Sequence, residues 1–111
     1  MAPELLSEAA LRQALAALPG WRRQGAWLCV GYRFPSFRAA VAFTQQLAEL
    51  AEARQHHPEW TVTYRFVDVR TTTHDAGGLT MRDVELARAI TVLVATADGK
   101  LRHAAAADTP D

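Results

Sequence analysis

This sequence has one cysteine, one lysine and no surplus of either charge. With Cys29 alone, no intramolecular disulfide can form. Twelve Lys and Arg balance twelve Asp and Glu, giving a formal net charge of zero. All the basic residues except Lys100 are arginines scattered along the chain, which reads as solvated faces rather than a phosphate-neutralising stripe. Direct nucleic-acid binding is therefore not expected. No apolar run approaches the ~20 residues that span a bilayer. The opening MAPELLSEAALRQAL carries acidic residues where a secretory leader needs a basic region. The expectation is a cytoplasmic protein without membrane association.

What is present is 111 residues, half of them hydrophobic, enough for one domain with a modest core. Ser7 is a candidate helix cap, followed by Leu11, Ala14, Leu15 and Leu18 at helical spacing and a stop at Pro19-Gly20. From Trp21 to Phe34 the period becomes two. Leu28, Val30, Tyr32 and Phe34 share one face, and Trp27, Cys29 and Gly31 the other. Cys29 thus reads as a strand residue rather than a nucleophile. Gln24-Gly25-Ala26 supplies the turn of a hairpin over 21–24 and 27–34.

Ser36 opens the longest predicted helix, whose expected buried stripe is Phe37, Ala40, Val41, Thr44, Leu47, Ala48 and Ala51, widened by Phe43 and Leu50. It must stop near Gln55, because Pro58 disfavours helical geometry at His57. Two apolar runs of opposite phase follow, Val62/Tyr64/Phe66 and Val67/Val69/Thr71, and imply a turn within 64–67. The second strand is expected to end at Thr73-His74. After the loop Asp75-Ala76-Gly77-Gly78, Thr80 to Asp83 fits a capping box for a last helix burying Leu86, Ala87, Ile90, Leu93, Val94 and Ala97. Asp98-Gly99 stops it.

The predicted order is α-β-β-α-β-β-α. This is an α+β fold: a four-stranded antiparallel sheet with three helices packed mainly on one face. Residues 1–97 form the domain and 98–111 a flexible tail containing His103.

His56, His57 and His74 are the candidate chemical residues. The first two leave a helix C-terminus, where the macrodipole favours a positive imidazole, and the third ends a strand. Both places can open on one edge of a sheet. Converging imidazoles suit a reaction that needs an acid and a base near neutral pH. Glu52, one helical turn before His56, is placed to orient that ring. A metal site is the weakest reading, since adjacent His56 and His57 diverge and no HxH or HxxxH spacing occurs. From spacing alone, metal-free acid–base catalysis and inert polar residues at element ends stand level.

The pattern Glu52-x-x-x-His56-His57-Pro58, five residues, Tyr64, nine residues, His74 and then Asp83 closely resembles the signature of the pterin-4a-carbinolamine dehydratases. The runs YRFPSFRAAVAFTQQLAELAEARQHHPEW and TTTHDAGGLTMRDVELARAI are similar to that family's strand and long helix, and to its last strand, loop and helix. The resemblance covers about residues 5–97. It implies dehydration of 4a-hydroxytetrahydropterin to quinonoid dihydropterin without metal or organic cofactor, recycling the tetrahydropterin cofactor of aromatic amino acid hydroxylases. It also implies a homodimer or homotetramer.

Under the resemblance His56, His57 and His74 are the active-site histidines. Glu52, Pro58 and the run Thr73-His74-Asp75-Ala76 contact the pterin. Asp75 stands where relatives commonly carry Glu, and Arg65-Phe66 replaces more usual turn residues. Members and relatives of the family also act as a dimerisation cofactor and as assembly factors, so a non-catalytic binding protein is the alternative.

Trp60 and Tyr64 read as core aromatics ahead of stacking groups for a flat ring. Asp83 reads as structural, through its capping box. Gly77-Gly78 is explained equally by a plain turn and by backbone approach to a ligand.

Overall fold

The structure is a computed structural model and describes residues 3–102. The Ser7 hydroxyl accepts from the Ala10 amide and starts helix α1, Glu8–Ala16. Strands β1 (Arg22–Gln24) and β2 (Trp27–Arg33) form the expected hairpin, with Gly25 at φ +61° in its turn. Ser36 accepts from Ala39 and opens α2, Phe37–Arg54. Strands β3 (Glu59–Thr63) and β4 (Phe66–Thr71) form the second hairpin, turning at Tyr64-Arg65. A short 3-10 turn, His74–Ala76, leads to α3, Met81–Thr96.

The antiparallel sheet runs β1-β2-β4-β3, as an α+β domain requires. It gains a fifth strand absent from the sequence reading: β5, Lys100–Leu101, pairs with Tyr32 and Arg33 of β2. The tail expected from residue 98 therefore contributes a strand first. Asp98, at φ +61°, reverses the chain out of α3 and returns it to the sheet. The rest of the expected tail, including His103, lies outside the described residues.

Register explains the layering. Leu28, Val30 and Tyr32 face Thr71, Val69 and Val67 across β2 and β4, and all six are buried. The five apolar ones join Ala40, Phe43 and Leu47 of α2 with Val84, Leu86, Ala87 and Ile90 of α3 in one core. The opposite face of the sheet carries Arg22, Cys29, Arg70 and Glu59 in one row, with Gly31, Asp68 and Thr61 in the next. Truncating Leu47 to alanine in so dense a core costs about 2–5 kcal/mol.

Two core assignments are corrected. The buried stripe of α2 is centred on Ala40, Phe43, Leu47 and Ala51, while Phe37 at its first turn is 55% exposed. The cap places Phe37 at the rim of the core, before the helix has turned its apolar face inward. Tyr64 is also exposed, because it occupies the hairpin turn at φ +54° rather than a strand position. Trp60, by contrast, packs against the core as expected.

Candidate active site

The end of α2 delivers two histidines in opposite directions. Gln55 takes a left-handed conformation, φ 50° and ψ 41°. Its amide and that of His56 donate back to the Glu52 and Ala51 carbonyls, a Schellman closure. The reversal turns His56 inward, leaving it 8% exposed, while His57 stays outside.

Glu52 therefore serves a different histidine from the one predicted. Its Oε2 lies 2.5 Å from His57 Nε2, and no bond joins it to His56. The i,i+4 rule assumes a continuing helix. Here the helix ends two residues earlier, and the left-handed step swings the next ring but one over Glu52.

His56 is held instead by Asp83. Its Nε2 lies 2.8 Å from Asp83 Oδ1, which also accepts from Thr71 Oγ1 at 2.8 Å. Asp83 Oδ2 accepts from Thr73 Oγ1 at 2.7 Å and from the Thr80 amide at 3.0 Å. The carboxylate is fully buried, so four donors replace the water it loses. The capping box predicted for Asp83 forms, with the Thr80 hydroxyl capping the helix. The residue is more than a cap, because it also ties β4, α2 and the loop to one carboxylate. With both oxygens occupied as acceptors, the His56 proton sits on Nε2, leaving Nδ1 as that ring's acceptor when neutral.

His74 opens the 3-10 turn and is exposed, its ring edge-on to Trp27 with centroids 5.8 Å apart. Thr73 and Gly78 bridge across this loop, and the Gly77 amide donates to the His74 carbonyl. A pocket of about 200 Å³ is lined by Gln55, His56, His57, Thr72, Thr73, His74, Asp75 and Arg82. The fold thus brings together the three histidines with Thr73 and Asp75. Pro58 and Ala76 shape the chain on either side but do not line the cavity. Glu52 reaches the site only through His57.

Sequence reasoning missed Asp83 as a partner of His56, and Gln55, Thr72 and Arg82 as lining residues. The Asp83 contact spans 27 positions and has no local signal. Arg82 lines the pocket from the first turn of α3. Among the described residues no group of three His, Cys, Asp or Glu side chains is arranged to hold a metal ion. No helix among them is long and apolar enough to cross a membrane.

Several known proteins are similar to this chain. A provisionally named pterin-4-alpha-carbinolamine dehydratase of Thermomicrobium roseum is 47% identical over 88 residues, 79% of this chain and 95% of that protein. Its counterpart from Opitutus terrae is 49% identical, over 78% of this chain and 90% of that one. Among solved structures, a transcriptional coactivator/pterin dehydratase from Brucella melitensis superposes with a TM-score of 0.77 at 35% identity, covering 80% of this chain and 97% of that one. A pterin dehydratase-like protein identified as a RuBisCO assembly factor in the alpha-carboxysome is more distant. Its TM-score is 0.57 at 25% identity, over 67% of this chain and 88% of that one. The sequence profile of pterin 4 alpha carbinolamine dehydratase matches residues 4–93, nearly the whole described domain, and this chain belongs to that family.

Proposed function

We propose that this protein dehydrates 4a-hydroxytetrahydropterin to quinonoid dihydropterin, by histidine acid–base chemistry without a cofactor, and so recycles the tetrahydropterin used by aromatic amino acid hydroxylases. The observation that carries the reading is the convergence of His56, His57 and His74 on one pocket, with His56 clamped to a buried carboxylate.

Loss of water from the 4a carbon requires a proton for the departing hydroxyl and removal of a proton from a ring nitrogen. His57 and His74 stand at the exposed mouth of the pocket and exchange those protons with substrate and solvent. His56 has its Nε2 proton committed to Asp83 and presents Nδ1 to hold the hydroxyl. Asp75 supplies a polar contact at the rim, Thr73 ties the loop beneath it to Asp83, and Pro58 and Ala76 fix the turns that carry the histidines. Glu52 orients His57.

The alternative is a binding or assembly role on the same scaffold, the role identified for the carboxysome protein. The three imidazoles lining one pocket favour catalysis, because a scaffold has no need of three placed histidines. Measuring loss of the 4a-hydroxy intermediate separates the two. An enzyme exceeds the spontaneous rate, and a pure assembly protein leaves it unchanged.

The protein acts in the cytoplasm, as a homodimer or homotetramer, in this reading. Self-association is supported by the outer edge of β3, which pairs with no strand among the described residues. It is also supported by Phe37 and Val92, 55% and 69% exposed on the outer surfaces of α2 and α3.

A further inference from the structure

Two of the three pocket histidines are held by carboxylates, His56 by Asp83 and His57 by Glu52. His74 is not. Among the described residues no hydrogen bond reaches its imidazole, and its ring contact is with Trp27, centroids 5.8 Å apart and planes at 80°. Trp27 does not line the pocket, so it can act on the chemistry only through His74.

Trp27 is itself held from the sheet. It begins β2 and shares the helix-free face with Cys29, two positions on. Cys29 lies directly opposite Arg70 on β4, and Arg70 opposite Glu59 on β3. Trp27 is therefore the diagonal neighbour of Arg70, a spacing that long and aromatic side chains bridge. The Arg70 guanidinium lies 4.0 Å from the indole centroid, where the negative face of the ring attracts a cation. Its Nε and Nη2 both donate to Glu59 Oε1, at 2.9 and 2.7 Å, which fixes the guanidinium over the ring.

The run Glu59–Arg70–Trp27–His74 thus crosses three strands. Glu59 follows His57 by two residues, with Pro58 between them. The run therefore joins the segment carrying one proton-exchanging histidine to the loop carrying the other. Because no hydrogen bond engages either nitrogen of His74, the contact orients the ring and leaves both nitrogens for substrate and solvent. Neither Trp27 nor Arg70 belongs to the signature or to the runs that carry the family resemblance. We infer that Trp27, held by the Arg70–Glu59 pair, is the positioning residue for His74. Its effect on turnover rests on the dehydratase reading, whereas its hold on the ring does not.

The test compares wild type with Trp27→Leu, Trp27→Phe and Arg70→Leu, each checked for native circular dichroism. The first readout is carbon-13 relaxation of the His74 ring C–H bonds, assigned by the loss of their signals in His74→Gln. The wild-type ring should be as ordered as rigid backbone, with an order parameter of about 0.85, and should fall below about 0.6 in Trp27→Leu. Trp27→Phe should keep most of the order, and Arg70→Leu should lie between. The second readout is dehydration of 4a-hydroxytetrahydropterin. Trp27→Leu should lower kcat by roughly ten- to a hundredfold, the scale of a misplaced group, with KM nearly unchanged. Trp27→Phe should recover most of that loss. A wild-type ring that is already mobile, or one that stays ordered in Trp27→Leu, overturns the inference, as does a Trp27→Leu protein with wild-type kcat. If wild type shows no turnover, the dehydratase reading fails on its own, and the relaxation data decide whether Trp27 holds His74.

Discussion

His56 and Asp83, 27 residues apart in sequence, meet inside the protein with Nε2 and Oδ1 2.8 Å apart. The same carboxylate receives Thr71, Thr73 and the start of α3, so the shape of the site and the stability of the fold share one group.

Asp83→Asn keeps the side-chain volume but replaces one acceptor oxygen by a donor facing other donors. Stability should fall by roughly 2–4 kcal/mol, as for a broken buried charged network, measured by urea denaturation. Dehydration should fall as well, because the His56 proton is no longer fixed. A loss under about 1 kcal/mol with full activity would contradict the clamp.

Glu52→Gln separates catalysis from stability. The Glu52–His57 pair is largely exposed, with side chains 68% and 57% accessible, so stability should change by less than about 1 kcal/mol. Turnover should fall measurably, yet by less than the ~10²–10⁴-fold that an acid–base group itself supplies. Unchanged kinetics would remove Glu52 from the account.

Tyr32 provides a pH signature. Burial pushes its phenol up to about 12, eased by the neighbouring Thr91 and Trp21 side chains. The ordinary value is about 10. Because burial penalises the ionised phenol in the folded state, stability is undiminished by this group below pH ~10 and falls as pH rises to about 12, by roughly 2–3 kcal/mol. The stability difference between wild type and Tyr32→Phe should shift by that amount between pH 9 and 12, and remain flat below. At neutral pH Tyr32→Phe should be neutral or slightly stabilising, since the buried hydroxyl makes no well-formed hydrogen bond. A loss above about 2 kcal/mol at pH 7 would contradict this.

Self-association is tested by light scattering after size exclusion at two concentrations. A dimer or tetramer mass is expected, falling toward monomer when Val92 is changed to glutamate or a proline enters β3 at Thr61. A monomer for wild type at both concentrations would contradict the proposed assembly.

Local chemistry made much of this fold legible. Ser7, Ser36 and Thr80 each cap the helix that their positions predicted, and the alternation in 27–34 matches the buried face of β2. The turn within 64–67 formed despite Arg65-Phe66, because the change of phase on its two sides leaves no other way to bury Val62 and Val67 together.

What stayed hidden depends on direction and distance. The left-handed Gln55 decides which histidine Glu52 meets, and helical spacing cannot report it. Asp83 showed its cap in sequence, but its partners on β4 and α2 exist only after folding. β5 is too short to show alternation, and Phe37 has the right residue type at the wrong angle.

The most direct measurement is stopped-flow dehydration of freshly generated 4a-hydroxytetrahydropterin by wild type, His57→Ala, His74→Ala and the double variant at neutral pH. The account predicts a wild-type rate well above the spontaneous background. It predicts strong loss in each single variant, and a double variant little worse than either, since groups acting as a unit are non-additive. A wild type no faster than background would contradict the account.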